Sequence, residues 1–498
     1  MSPRPLRYGL LGGRQLVAEK IPPRPPEQRV RVPAPLIRRR LGSGRGATEQ
    51  PNAVGDGDAP LSVLVWVLIA LTGVAAGLLG DLMMVILFSV EHLAFGYHTG
   101  DFASGVEHAP GWRRIAMLAL AGLLGGVAWY LLRRYTPGQR SEVDDAVWSG
   151  DATLSVPRSM GTSVISEVVV GMGASLGREA APKLLGAASG SLLARWTGLS
   201  AAQQRLLVAC GAGAGLAAVY NVPLGGALFT AEVLYGSVTL PVVLPALVCS
   251  WIATLTAQLY LPAHATYLDV PDYPFASSQL VWAVLAGPVI GLVAVGFIRL
   301  IGWVSVHRPA GRTALVAPLA AFTALGLLAL HYPQLLGNGK DMAHDVFLGS
   351  GGLLTLFALF TLKPLVTALC LGSGASGGLF TPTLSTGAVL GGFLGMLWSL
   401  VWPGAPVGAY AIIGAAATMG AGMQAPLAGL VLVVELTHSG FPLMLPMIAA
   451  TALATTVARY LDGYSIYSAR LSPHGELAGA AQRRELDQTD LKRAPQRR

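Results

Sequence analysis

The sequence has little charge and few cysteines. Only 12% of its 498 residues are Asp, Glu, Lys or Arg, about half the share of an ordinary soluble domain. Such a composition excludes disorder for most of the chain and argues against a soluble enzyme. The three cysteines, Cys210, Cys249 and Cys370, stand singly in apolar stretches, which excludes a disulfide framework and a Cys-x-x-Cys metal site. Because the first long apolar run begins only near Leu61, we expect no signal peptide.

What the chain has instead is apolar sequence. Hydrophobic residues make up 53% of it and the mean hydropathy is +0.56, so a membrane protein with many spans is the first interpretation. The net charge of +8 lies entirely in residues 1–60 and 471–498. A basic excess at the ends favours a membrane protein with both termini in the cytoplasm over a nucleic-acid partner. We interpret 1–60 as a disordered basic tail and 472–498 as a polar tail.

The membrane part contains an internal repeat. GAGAGLAAVYNVPLGGALFTAE (211–232) aligns without gaps to GAAATMGAGMQAPLAGLVLVVE (414–435), and both end in a Glu nine residues after the Pro of a Pro-Leu pair. Several apolar runs are near 12 residues, too short for a bilayer core of about 30 Å. Short Gly- and Pro-bounded segments in both halves are typical of broken helices in inverted repeats. The sequence therefore predicts one membrane domain, 61–471, with repeats at about 61–261 and 279–471.

Two turns in this domain are candidate anion sites. In GREAAP (177–182) the charged residues Arg178 and Glu179 stand between apolar runs, just before a Pro that is tolerated at a helix start. A helix N-terminus attracts anions through its free N–H groups and its dipole. A carboxylate there would occupy the site itself until an anion displaced it or a proton neutralised it. In GGLFTP (377–382) no side chain is charged, so backbone amides would hold any ligand.

In their order along the chain these motifs resemble those of the CLC family of chloride channels and chloride/proton exchangers. GREAAP is similar to the family's GREGP and GGLFTP to its GxFxP, while Tyr467 in GYSIYS is similar to its C-terminal anion-binding tyrosine. The likeness covers about 61–471. It implies an all-α integral membrane protein of two inverted-topology repeats built from tilted and broken helices. It also implies a homodimer in the plasma membrane, with one chloride pore in each subunit.

The same resemblance implies roles for individual residues. Glu179 is the expected gate of the pore. Chloride is expected to bind at helix N-termini, through the backbone amides of Leu379 and Phe380 and through the Tyr467 hydroxyl. Arg178 and Gly378 lie within the two motifs and complete this set of expected anion-binding residues.

The chain departs from the family's pattern at two places. Gly138 stands where the family's first motif has an anion-binding serine, so one hydroxyl is missing unless Ser141 replaces it, and the preference for chloride over nitrate is open. Val233 stands where the exchangers carry an inner glutamate that relays protons. Because Val cannot titrate, we favour a passive channel, with a chloride/proton antiporter as the alternative. Glu232, one residue earlier, is expected to have a structural role.

Two other classes of membrane protein share single features with this sequence. Ser376 in a Gly-x-Ser-Gly pattern, with His438 later in the chain, would suit an intramembrane serine protease. Inverted repeats also occur in organic-solute transporters. Neither class accounts for the GREAAP motif, so we expect no enzyme activity, no cofactor and no metal, and the partners to be a small anion and the lipid bilayer.

Overall fold

The fold is described from a computed structural model, which covers residues 61–136, 142–148, 152–438 and 441–470. The predicted tails 1–60 and 472–498 and the predicted anion-binding position Gly138 lie outside the described residues. Within them the chain is helical, and the one β-type contact is an isolated bridge. The predicted all-α membrane fold of broken helices is confirmed.

The first half of the described chain contains these helices: α1 (Val63–Phe95), α2 (Phe102–His108), α3 (Gly111–Tyr135), α4 (Val143–Trp148), α5 (Val156–Gly171), α6 (Ala180–Thr197), α7 (Ala201–Tyr220), α8 (Pro223–Leu228), which continues as a π-helix (Phe229–Tyr235), and α9 (Leu240–Ala257). The second half contains α10 (Ser277–Val306), α11 (Thr313–Leu328), a 3-10 turn (Pro333–Leu335), α12 (Lys340–Phe347), α13 (Leu353–Gly372), α14 (Phe380–Ser399), α15 (Val407–Met423), α16 (Pro426–Thr437), α17 (Met444–Leu461) and a 3-10 turn (Ser468–Arg470).

Seven of the described helices are long and apolar enough to cross a bilayer: α1, α3, α9, α10, α13, α14 and α17. Others are clearly too short, because α8 has 6 residues and α16 has 12. Both short helices begin with a Pro at their first position, after a residue in the left-handed conformation, Asn221 or Gln424, that ends the preceding helix. The repeated sequence thus folds into the same helix break in each half.

The two halves pack in the same way. In the first half α6 packs on α7 and α1 on α9, and in the second α14 packs on α15 and α10 on α17. Glycines allow the closest of these crossings: a Cβ on Gly186 would collide with the backbone of Gly211, and one on Gly391 would collide with that of Gly414. Small residues at helix crossings let backbones approach where no water is available to drive packing. The high glycine content therefore serves the packing of each repeat.

The halves meet at several places. Helix α3 packs on α11, and α8 packs on α16. Between these contacts, the backbone of Gly177 forms an antiparallel bridge with that of Gly378, with both N–H···O distances 2.8 Å. The turns before α6 and α14 are therefore joined head to head, and the N-termini of these two helices meet in the interior of the protein.

Candidate functional site

The carboxylate of Glu179 lies at the N-terminus of α14, the helix that the other repeat contributes. The Phe380 backbone N–H donates to its Oε1 at 2.8 Å, and the hydroxyls of Tyr220 and Thr381 lie 3.2 and 3.3 Å from its Oε2. The side chain is fully buried. Hydrogen bonds from an amide and from hydroxyls, together with the positive end of a helix dipole, stabilise a negative charge at this position. The position is therefore an anion site that a side chain of the protein occupies.

The glycines of the two motifs make room for this carboxylate. A Cβ on either Gly177 or Gly378 would collide with the carboxylate of Glu179. Gly378 was predicted to bind an anion directly. Its N–H instead donates to the Gly177 carbonyl in the bridge. Leu379 is fully buried between Gly378 and Phe380. Of the two predicted amides, the one of Phe380 is thus observed to donate to an anionic group.

Arg178 precedes Glu179 in the chain, and the structure shows no hydrogen bond between their side chains. Its guanidinium packs over the ring of Tyr220, with 5.1 Å from Cζ to the ring centroid, and lies 5.9 Å from that of Phe88. Its Nε is buried and makes no hydrogen bond within the part of the chain that the structure describes. The fixed positive charge of Arg178 therefore lies next to the ring whose hydroxyl contacts the gate.

A cavity of about 40 Å³ lies on the other side of Gly378. Its polar and glycine lining includes Glu142, Asp144, Lys183, Ser376, Gly378, Tyr467 and Arg470. The Tyr467 side chain is buried, its ring meets that of Phe229 edge to face, and its hydroxyl makes no hydrogen bond with any described residue. A hydroxyl that lines a cavity and has no hydrogen-bond partner is available to donate to an anion.

Charged residues line the far end of the same cavity. Arg470 Nη2 lies 3.2 Å from the carboxylate of Glu142. Burial opposes ionisation of Glu142, but the cations Arg470 and Arg308 outweigh it, and the pKa of this carboxyl lies below its ordinary value. The cavity is therefore lined by a stable carboxylate as well as by cations.

The position of the predicted proton relay is apolar and closed. Val233 is buried within the π-helix that continues α8. The neighbouring Glu232 points to the other repeat, where its Oε2 accepts the Ala428 N–H at 2.7 Å, and Glu435 reciprocally accepts the Gly225 N–H at 2.6 Å. Each repeat thus caps the short helix of the other. This geometry agrees with the structural role expected for Glu232.

The protease alternative finds no support in the arrangement of its two residues. The carbonyl of Ser376 accepts a hydrogen bond from the Ser166 hydroxyl, and Ser376 lies beside the bridge of the two gate turns. His438 ends α16, and no hydrogen bond joins it to Ser376 among the described residues. A serine protease would need a base in contact with its nucleophile.

Sequence reasoning missed three residues that the site contains. Tyr220 ends α7 and contacts the gate. Thr381 lies inside the GGLFTP motif, and its hydroxyl lies 2.6 Å from that of Tyr220. Lys183 follows GREAAP directly and lines the cavity. Only Lys183 gave a signal, as a charged residue at the start of an apolar helix; contacts such as that of Tyr220 depend on the tertiary fold.

Comparison with known proteins identifies the family. The family model described as "Voltage gated chloride channel" matches residues 121–459. The chain belongs to the CLC family. A "Putative chloride channel protein ClcB-like" of Ralstonia nicotianae is 33% identical over 378 residues, which cover 73% of this chain and 86% of that protein. An "H(+)/Cl(-) exchange transporter ClcA" of Vibrio campbellii is 28% identical, over 83% of this chain and 90% of that protein.

Solved CLC structures have the same fold. The structure of "a slow cyanobacterial Cl-/H+ antiporter" matches with a TM-score of 0.72 and 22% sequence identity, over 85% of this chain and 99% of that one. A "CLC-type fluoride/proton antiporter" matches with a TM-score of 0.66, over 82% of this chain and 97% of that one. The predicted family is confirmed, and the chain is a multi-pass membrane protein of CLC-type chloride transport.

Proposed function

We propose that this CLC protein is a passive chloride channel whose gate is Glu179. The observation that carries the proposal is the pairing of an occupied anion site with an apolar relay position: the Glu179 carboxylate binds the Phe380 amide, while Val233 is buried and untitratable. Chloride competes with the carboxylate for the N-terminus of α14, and protonation of Glu179 releases the site.

The hydrogen bonds that Glu232 accepts support a channel over an exchanger. A proton crossing the membrane interior needs titratable groups, since an unassisted charge there is costly. Glu232 accepts hydrogen bonds at the N-terminus of α16, so moving a proton through it would break a helix cap. The relatives named above include both a channel and an exchanger, so coupling must be decided by measurement.

We further propose a homodimer in the plasma membrane, with one pore in each subunit, both termini in the cytoplasm and no enzymatic activity. Leu224 of α8 and Leu427 of α16 are about half exposed on the short helices that cap each other. Apolar side chains are compatible with either lipid or a second subunit, and the family resemblance favours the second subunit.

Flux measured in liposomes tests the channel proposal. Purified protein in chloride-loaded liposomes, followed with chloride and pH electrodes together, should release chloride without moving protons against their gradient. Uphill proton movement that a protonophore abolishes would make the antiporter alternative correct. Absence of chloride flux in both wild-type protein and Glu179→Ala would contradict anion transport itself.

A further inference from the structure

The cavity beside Gly378 contains a lysine, Lys183, that makes no hydrogen bond to the carboxylate of Glu179. Lys183 lies on α6 one turn after Glu179, and its backbone N–H donates to the Glu179 carbonyl at 3.1 Å. Its side chain lines the cavity, and only 9% of the residue is exposed. Buried charges in membrane proteins are expensive and usually serve ions or substrates. Lys183 is therefore a candidate ligand rather than a packing residue.

The ammonium group of Lys183 has an ion-pair partner and lies over the ring of Phe229 at 5.6 Å, but no described residue accepts a hydrogen bond from it. Its Nζ lies 3.9 Å from the carboxylate of Asp144, which is too far for a hydrogen bond. It lies 4.4 Å from the ring centroid of Tyr467, whose hydroxyl is also free. Across the described chain Lys183 Nζ donates no hydrogen bond. Two unused donors thus face one small cavity from neighbouring side chains.

The charges around the cavity are arranged so that an anion can bind beside Lys183. Asp144 balances Lys183, while Glu142 pairs with Arg470. The carboxylate of Asp144 is the counter-ion of Lys183 at 3.9 Å, without a hydrogen bond between them. An anion that enters beside Lys183 replaces the long contact to Asp144 with direct N–H donation, which is stronger because both partners are charged.

We propose that Lys183 is an anion-binding residue of this inner cavity, where its ammonium and the Tyr467 hydroxyl together hold a small monovalent anion, and that Asp144 is its counter-ion when the site is empty. This inference rests on the proposed function, since it assigns a further ligand to the same pathway. Gly138 supplies no side-chain hydroxyl, and Lys183 provides a donor from another element of the fold.

A pair of variants with opposite expected effects tests this role. Chloride is titrated by calorimetry into purified full-length protein in a buffer with a large organic anion. Lys183→Met should weaken chloride affinity by about tenfold or more, as expected for the loss of a charged hydrogen bond. Asp144→Asn should strengthen it, because Lys183 loses the carboxylate that competes with chloride. If Lys183 serves only as a structural partner of Asp144, both variants will shift affinity in the same direction, and the proposal is wrong.

Controls separate binding from folding and from transport. Arg299→Gln also removes one positive charge, from an ion pair with Asp462 whose arginine is 64% exposed, and should leave chloride affinity unchanged. If Lys183→Met does not fold, Asp144→Asn alone tests the proposal: stronger chloride affinity supports it, and weaker or unchanged affinity contradicts it. A wild-type protein that couples chloride to protons contradicts the channel proposal but leaves this comparison intact. If Lys183→Met binds chloride as tightly as wild-type protein, and wild-type protein transports chloride, the role of Lys183 is wrong but the proposed function stands.

Discussion

In the proposed channel, Glu179 blocks the chloride pathway by occupying an anion site with its own carboxylate. Its carboxylate accepts the hydrogen bond from Phe380 that a chloride ion would otherwise receive. The hydroxyls of Tyr220 and Thr381 contact its second oxygen, so both oxygens are satisfied while the pathway is closed. Opening therefore depends on whether protonation or a competing anion weakens these contacts.

Removing the charge of Glu179 should remove the pH dependence of flux. In wild-type protein chloride flux should rise as pH falls, because a protonated Glu179 no longer competes as an anion. Glu179→Gln and Glu179→Ala should show high flux that is nearly constant with pH in the liposome assay. Glu107→Gln, at an exposed glutamate of α2, serves as the control and should keep the wild-type profile. A wild-type profile in both Glu179 variants would show that another group gates.

The gate was more predictable than its partners. A charged pair between apolar runs and next to a helix start is visible in the sequence, because charge is rare there. That Glu179 binds the N-terminus of α14 rather than that of its own helix was not predictable, since Phe380 lies 201 residues away in sequence. Tyr220 is one of many aromatic residues in apolar segments, and only the tertiary fold brings its hydroxyl to the carboxylate of Glu179.

At the scale of helices, the two short ones depend on caps from the opposite repeat. The first N–H groups of a helix have no partner inside it, and in a bilayer no water replaces one. The Glu435 carboxylate accepts the backbone N–H groups of Leu224 and Gly225 in α8. The Glu232 carboxylate accepts those of Leu427 and Ala428 in α16. The pattern of a Glu nine residues after each Pro therefore has a structural cause.

Neutralising either cap should lower stability without affecting transport selectivity. Glu435→Gln and Glu232→Gln should each cost about 1 kcal/mol, as expected for a weakened N-terminal cap, and lower the melting temperature in detergent by similar amounts. Flux through the folded protein should stay passive and chloride-selective. If Glu232→Gln left stability unchanged but abolished a proton flux present in wild-type protein, Glu232 would be a relay and not a cap.

The repeat was readable from sequence because its helix break is specified locally. Asn221 and Gln424 adopt positive φ, and Pro223 and Pro426 restart the chain as short helices. These requirements are met by neighbouring residues and so leave a sequence pattern. The π-helix at Phe229–Tyr235 was not predicted from the sequence.

At the scale of the whole molecule, the gate depends on contacts between the two repeats. The bridge of Gly177 with Gly378 joins the two gate turns. Lys363 of α13 adds a second link, because its buried ammonium donates to the Ser175 hydroxyl in the loop before Glu179. It also donates to the carbonyls of Leu335 and Gly337 in the second repeat, at 3.2 and 2.9 Å. One side chain thus ties the loop that carries the gate to the opposite half.

Lys363→Met should therefore destabilise the protein. Replacing a buried cation relieves its desolvation penalty, but it leaves three acceptors without their donor, each costing about 1–3 kcal/mol. The losses outweigh the gain, so we expect a net cost of about 2 kcal/mol or more. The melting temperature in detergent should fall by several degrees, whereas Arg299→Gln, which breaks an exposed ion pair, should change it little. A Lys363→Met protein that melts at or above the wild-type temperature would mean that the bridge and the helix caps join the repeats without this lysine.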